Sequence, residues 1–554
     1  MFGQNQPGGI VNMVSKKPTG EKRHEVRLGV ASHDRINGAL DVGGPLASDD
    51  DSVLYRVLAL ANSGNEQIGY TESQRLFIAP SLTWNLSNAS AITVYLQAQR
   101  DDAVPDYQPL PMIGTLKRGT NGKRIDRDFF QGEPGYNDYM REQYIFGLNF
   151  SHQFSDDLQL RQSLRYVDYQ GFYLRWYANP EMTTATRNKL DWEQRNNTLS
   201  IDNNLELKID TGALEHTLLA GVDYRRFSRK YDGYNNYYAE PIDLYDPDYG
   251  VISDNPVMDY QWDNTVNQTG LYFQDQIRWN DLILTLGGRQ DWAGLNNKDL
   301  LADTHTTRDD ESFTGRVGVT WLAGNGIAPY LSYSESFLPV VGSDYSGKAF
   351  EPTTGKQLEA GIKHQPEGQR SLLTFSVFEI KQQNMETEDL AHPGFSIQAG
   401  EVRSQGAELE AKAQITEALN IIAGVSYLNT RITSSNYGDE GKQVVGQAPW
   451  SGSLWADYHF ATGVFDGLGL GAGMRWTGKQ YADADNDMTT PSYAVFDAAV
   501  RYDLGRVDTS LRGTEVSLNA QNLFDRTYVS SCNWELGCYY GKARTLKAEV
   551  AYRW

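Results

Sequence analysis

The feature that most restricts this chain is an alternation of apolar and polar residues with a period of two, repeated along almost its whole length. Within 493–504, Ala494, Phe496, Ala498, Val500, Tyr502 and Leu504 share one face, while Asp497, Arg501 and Asp503 share the other. Near the C-terminus, Leu546, Ala548, Val550, Tyr552 and Trp554 oppose Lys547, Glu549 and Arg553. Within 271–279, Leu271, Phe273, Ile277 and Trp279 oppose Tyr272, Gln274, Gln276 and Arg278, and Asp275 breaks the pattern. A strand sends successive side chains to opposite faces and a helix does not, so the spacing is a strand signal.

Runs of this kind lie near residues 25–32, 35–46, 53–63, 75–86, 90–100, 143–154, 158–169, 198–209, 215–228, 268–280, 282–293, 312–323, 327–337, 357–365, 371–383, 401–415, 419–432, 452–461, 468–481, 493–504, 515–525 and 545–554. They predict 22 strands, with no helical segment of useful length competing. The chain is all-β.

Composition narrows the setting. There are 71 acidic against 50 basic residues and a net charge of −21, which excludes a nucleic-acid partner because phosphate binding needs a cationic footprint. No stretch reaches 18 consecutive apolar residues, so a bundle of transmembrane helices is excluded. The 33 Tyr and 12 Trp argue against disorder. Residues 1–20 show no basic region, apolar stretch and cleavage site in series, so they do not read as a secretory signal.

Connections alternate too. Tight ones at 211–214, 280–281 and 366–369 interleave with long ones at 101–140, 170–197, 229–267, 294–311 and 431–450, rich in Tyr, Asn, Asp and Gly. Short turns on one rim and long loops on the other are the plan of a bacterial outer-membrane barrel. In such a barrel only alternate residues meet lipid, and amphipathic rings gather at the interfaces, which accounts for the polar composition and the Tyr excess. A soluble propeller or sandwich array is the competing reading, but no blade-length repeat is present.

Particular segments carry a resemblance. GGIVNMVSKKPTG (8–20) is similar to the last plug strand of the TonB-dependent siderophore receptors, and LGGRQDWAG (286–294), PYLSYSESFLP (329–339), GKQLEAGIKH (355–364), VRSQGAELEAKA (402–413) and NLFDRTYVSSC (522–532) resemble barrel segments of that family, in the right order. NGKR (121–124), EHTLLAGVDY (215–224), DLYDP (243–247) and the two cysteines followed by YYGKAR (539–544) look closest to its ferric hydroxamate, ferrichrome-type members.

The resemblance implies a 22-stranded antiparallel transmembrane barrel over residues 21–554 and a remnant of the N-terminal plug over residues 1–20, in the outer membrane of a Gram-negative bacterium. It implies uptake of ferric siderophores, energised through TonB with ExbB and ExbD, amid outer-membrane lipid and lipopolysaccharide. Most of the plug, the TonB box and the signal peptide have no counterpart in residues 1–554. An ungated, porin-like channel or a non-functional remnant is therefore the alternative. Wide barrels need a plug because diameter grows with strand number.

A siderophore's own oxygens fill the iron's coordination shell, so the protein needs aromatic walls and hydrogen-bond donors rather than metal ligands or a cofactor. The eight His show no ligand spacing. Matching the family's binding aromatics position by position implies ligand contacts at Phe2, Tyr107, Tyr177 with Trp176 beside it, Tyr234, and Trp534. Pro109, Asn179 and Asn533 stand where aromatic residues are expected. Any one of these rings also fits ordinary loop packing. Cys532 and Cys538 lack a nearby His or second Cys pair, which disfavours zinc, and a disulfide fits an extracytoplasmic loop. The acidic runs 49–51, 101–102 and 309–311 read as solvated loop charge. With no nucleophile–base or phosphate-loop signature, the chain does not read as an enzyme.

Overall fold

The computed structural model describes the chain except residues 1–7, 10, 48–49, 105–107, 181–183, 251, 341, 343, 393–395 and 534–535; for 175–180, 188, 190, 235–239, 252–256 and 388 it describes the backbone alone. Each of the 22 expected segments is a strand. Successive strands pair antiparallel from Arg23–Ala31 to Thr545–Arg553. The first strand pairs with Arg35–Ala47 on one edge and with the last strand on the other, from Glu25 opposite Arg553 to Ala31 opposite Lys547. The sheet is a closed 22-stranded barrel without an edge. A two-residue strand, Ile242–Asp243, adds to the upper part of Thr184–Thr211.

The alternation maps onto the two faces of this wall. On Ile252–Trp279, Leu271, Phe273 and Trp279 point outward and are more than half exposed, while Tyr272 points inward and is 3% exposed. Asp275, the exception in the pattern, lies on the outward face. Its Oδ2 is 2.8 Å from His216 Nδ1, and His216 Nε2 is 2.8 Å from the Thr211 hydroxyl. Pairing is what a carboxylate on an apolar face requires.

Two expectations need correction. The connections placed at 170–197, 229–267 and 294–311 are largely strand. The ladder continues through Leu158–Pro180, Thr184–Thr211, Leu214–Ala239, Ile252–Trp279, Leu282–Asp299 and Thr304–Trp321. A 28-residue strand is about 90 Å long at about 3.3 Å per residue, whereas a membrane needs only about 10 residues. Above the membrane both faces of a ribbon meet water, so backbone pairing persists while the apolar alternation that betrays it disappears.

The second correction concerns the segment before the barrel. Described residues 11–19 join no ladder. Every wall strand already uses both edges on its neighbours, leaving no backbone groups for a further strand. The segment is held by side chains of the inner wall instead: Lys16 Nζ lies 3.3 Å from Asp41, Arg56 Nη1 donates to Lys17 O at 3.1 Å, and Gln97 Nε2 donates to Ser15 Oγ at 2.9 Å.

Inside the barrel a polar network ties four neighbouring strands. Arg289 donates to Asp291 through Nε (2.7 Å) and Nη2 (2.6 Å), and to Asp223 through Nη1 and Nη2. Gln268 donates to Asp291 Oδ1 at 2.8 Å, and the Tyr272 hydroxyl donates to Asp202 at 2.7 Å. Gly270 makes room for the guanidinium, because a Cβ there would collide with it. The Arg289 and Asp291 side chains are at most 2% exposed, so removing one partner strands a buried charge. Arg289→Leu is expected to cost about 3 kcal/mol, read as a lower midpoint for heat-induced loss of the compact barrel; an unchanged midpoint would deny the network a stabilising role.

Candidate ligand-binding site

The tall strands carry a continuous wall of rings. Tyr139 meets Tyr173 edge-on at 5.4 Å, Tyr173 stacks on Trp192 at 5.1 Å, and Trp192 contacts Tyr231 at 5.5 Å. Tyr231 stacks on Tyr260 at 5.4 Å and on Trp262 at 5.7 Å, and those two stack on each other at 5.1 Å. Register produces this: Tyr139 opposes Tyr173, Tyr173 opposes Trp192, Trp192 opposes Gly233, and Gly233 opposes Tyr260. Counting by twos down each strand places all six rings on the lumen-facing pleat of Tyr272 and Arg289. Each such contact adds about 1 kcal/mol beyond its buried area.

Gly233 is the gap that lets the wall close, since a Cβ there would collide with the Tyr260 ring. Arg141 lies 5.2 Å from the Tyr139 ring and Arg229 lies 5.5 Å from the Tyr231 ring. Burial, followed by the hydrogen bond with Tyr260, holds the Tyr231 phenol above its ordinary range, and burial raises Tyr139 as well. Both remain neutral donors at physiological pH. The wall therefore offers aromatic faces, phenolic hydroxyls and guanidinium edges to an amphipathic ligand.

Loops on the same rim build a roof around two apolar clusters. One gathers Leu110, Ile125, Phe129, Ala185, Ile242 and Leu244; the other gathers Met112, Ala482, Val529 and the two cysteines; Tyr540 packs against both. Cys532 and Cys538 form a disulfide across the hairpin of Val529–Cys532 and Cys538–Tyr540. Leu110 and Cys538 exchange backbone hydrogen bonds of 2.9 and 2.8 Å. By chain entropy so short a loop contributes about 2 kcal/mol, and its larger effect is to fix a hairpin onto the neighbouring loop. The Arg187–Glu133 pair, 2.6 Å apart and 4% exposed at most, is buried in the roof. Arg127 grips Asp525 with two bonds of 2.9 and 3.0 Å, and the Arg544 N–H adds a third at 3.0 Å.

The six expected contact residues are placed unevenly. Phe2, Tyr107 and Trp534 lie outside the described residues. Trp176 and Tyr177 lie on Leu158–Pro180, opposite Lys189 and Asn188 and just beyond Tyr173, with backbone alone described. Tyr234 follows Gly233 and falls on the opposite pleat from the ring wall; burial and the nearby Asp232, Glu193 and Asp191 raise its phenol. All six wall residues escaped the sequence analysis because all six sit in segments assigned to loops. A signal was available: Tyr260 and Trp262, and Tyr231 and Gly233, are period-two pairs. The expected disulfide is formed. Among the described residues, no group of three or more His, Cys, Asp or Glu could hold a metal.

A closed barrel with an apolar outer face, a polar lumen and a ring-lined mouth defines an outer-membrane receptor barrel. The chain belongs to the TonB-dependent receptor family: residues 83–523 match the family described as TonB dependent receptor-like, beta-barrel. It is 36% identical to the ferrichrome outer membrane transporter/phage receptor of Escherichia coli K12, across 100% of this chain and 77% of that protein. It is 34% identical to the ferrioxamine B receptor of Salmonella typhimurium, across 100% and 78%. The crystal structure of the ferric-catecholate import receptor Fiu from E. coli K12 superposes with a TM-score of 0.88 at 20% identity, covering 100% of this chain and 84% of that one. That likeness shows the fold. The protein is an outer-membrane siderophore receptor of a Gram-negative bacterium, and its relatives are transport receptors rather than enzymes. Barrels of this class put short turns in the periplasm and long loops outside, which makes the tall rim the extracellular one.

Two outcomes follow from this geometry. Gly233→Val is expected to displace Tyr260 from Tyr231 and Trp262 while leaving the barrel folded, read as loss of near-ultraviolet circular dichroism at an unchanged melting midpoint. Retention of the aromatic signal would refute the packing role of Gly233. Arg127, then the Arg544 N–H, hold the Asp525 carboxyl down at about 2, against about 3.9 when released. A depressed carboxylate stabilises above its unfolded value, so the tie is at full strength above about pH 4 and is lost as pH falls through 2. Pepsin cleavage within 522–544 is expected to rise over that interval in the native chain and to be pH-independent there in Asp525→Asn. Matching profiles would sink the assignment.

Proposed function

We propose that this receptor takes up ferric hydroxamate siderophores of the ferrichrome and ferrioxamine type. The observation that carries the proposal is the six-ring wall facing the lumen at the extracellular mouth. A ferric trihydroxamate cage presents methylene edges and carbonyl oxygens around a metal that is already coordinated. Such a body is bound by ring faces and a few donors, and needs no ion from the protein. The names of the two curated relatives, at 36% and 34% identity, support the hydroxamate class.

Residues 1–20 act in this reading as the last part of a plug, and residues 21–554 as the barrel. The contacts of Ser15, Lys16 and Lys17 with Gln97, Asp41 and Arg56 support that division. TonB supplies the energy by acting on the plug. Outer-membrane lipid covers the apolar band, and lipopolysaccharide meets its outer leaflet.

Trp192 and Trp262 within the wall provide the test. Ferrichrome and ferrioxamine B are expected to quench tryptophan fluorescence saturably, and Trp262→Ala to weaken binding about tenfold, as loss of one stacking anchor does. Saturable quenching by a ferric catecholate or ferric citrate, with none by the hydroxamates, would overturn the class.

A further inference from the structure

A second cleft opens across the mouth from the ring wall. It has a volume of about 350 Å³ and is lined by Leu116, Arg124, Tyr493, Arg526, Tyr528 and Tyr540. Three loops and one strand end build it, and strand order puts Tyr493–Asp503 on the far side of the barrel from Ile252–Trp279. Tyr493 and Tyr528 pack ring to ring at 4.4 Å, and Gly541 lets Tyr528 lie flat against the backbone. The Tyr540 hydroxyl donates to Ile125 O at 2.9 Å, which fixes its ring as a wall of the cleft. Burial raises the phenols of Tyr528 and Tyr540, so neither contributes negative charge.

The charge balance is lopsided. The neighbouring carboxylates are committed elsewhere: Asp525 to Arg127 and the Arg544 N–H, Asp497 to Arg475 at 2.8 and 3.0 Å and to the Asn522 N–H at 2.9 Å. Asp126 is the remaining acid near Tyr540. Arg526 spends one nitrogen on Ala494 O at 3.0 Å, and neither it nor Arg124 makes an ion pair among the described residues. Two guanidiniums without acid partners thus share an aromatic cleft on a chain whose net charge is −21. Guanidinium forks match carboxylate geometry and form the stronger, charge-assisted class of hydrogen bond.

We propose that this cleft is a subsite for an acidic group carried on the ferric hydroxamate, so that the receptor selects acid-bearing members of that class. The inference rests on the hydroxamate reading above and adds the chemistry of a substituent. The cage lies in the mouth with its acidic arm in the cleft, where the carboxylate meets Arg124 and Arg526, and with its other side turned toward the ring wall.

Matched probes test it. Ferrioxamine B with its terminal amine succinylated carries a free carboxylate, and the same cage acetylated is neutral. With the native chain in detergent, tryptophan quenching is expected to show about tenfold tighter binding of the succinylated probe, the worth of one charge-assisted contact. The overall field of so acidic a chain would favour the neutral probe, so the preference points to a local site. Arg124→Gln combined with Arg526→Gln is expected to bring the ratio to one or below, with acetylated-probe affinity and heat-modifiable migration unchanged, since both side chains are exposed. Equal binding of both probes to the native chain, or a preference that survives the double substitution, overturns the subsite alone. Failure of both probes to bind overturns the hydroxamate reading and the subsite together.

Discussion

Everything in this molecule depends on the pairing of Glu25–Ala31 with Lys547–Arg553. Hydrocarbon offers no partner for a backbone N–H or C=O, so a sheet that crosses it must have no edge. Once the first and last strands join, the other properties follow. Alternate side chains face lipid and are apolar; the rest face water and are free to be charged. A hydrophobic core of the usual kind has no place in the spanning region. The Arg289 network, the Arg56–Asp41 pair at 2.8 Å and the grip of Arg27 and Arg553 on Glu25 take over the task of holding strands to one another from within.

The apolar clusters that do exist lie outside the membrane, in the extracellular roof. There the loops behave like a small soluble domain, with a buried disulfide, a buried Arg187–Glu133 pair and aromatic residues such as Tyr540 between the two clusters. The roof and the ring wall meet on Thr184–Thr211, whose Ala185 and Arg187 join the roof and whose Trp192 joins the wall, but they are built differently. One consists of loops held by side chains and the other of continuous sheet.

How much of this was legible follows from where water is. Inside the membrane band, every strand announced itself, because one face of each had to be apolar. Even the violation at Asp275 marked a real structure, the pair with His216. Above the band, Trp192, Tyr231 and Tyr260 stand in strands whose two faces are both wetted, so their segments looked like loops. The ring wall is a product of register between five strands, and register between distant segments is not written in any one of them. The disulfide could be read because Cys532 and Cys538 are close in the chain and exclusive partners. The resemblance named binding aromatics one residue at a time, and of these Tyr234 stands on the pleat opposite the wall.

The height of the ribbons has a mechanical consequence. Each strand that bears a wall ring, from Asp138–Gln153 to Ile252–Trp279, runs unbroken down into the membrane. Such a wall has no hinge. In the binding reading proposed above, a ligand pressed against it would meet a face anchored in the bilayer, and any movement that encloses it would come from the roof loops, which the disulfide, the Arg127–Asp525 fork, the Arg187–Glu133 pair and two apolar clusters hold together. In that reading capture at this mouth is one-sided: the sheet keeps the shape, and any closing falls to the loops.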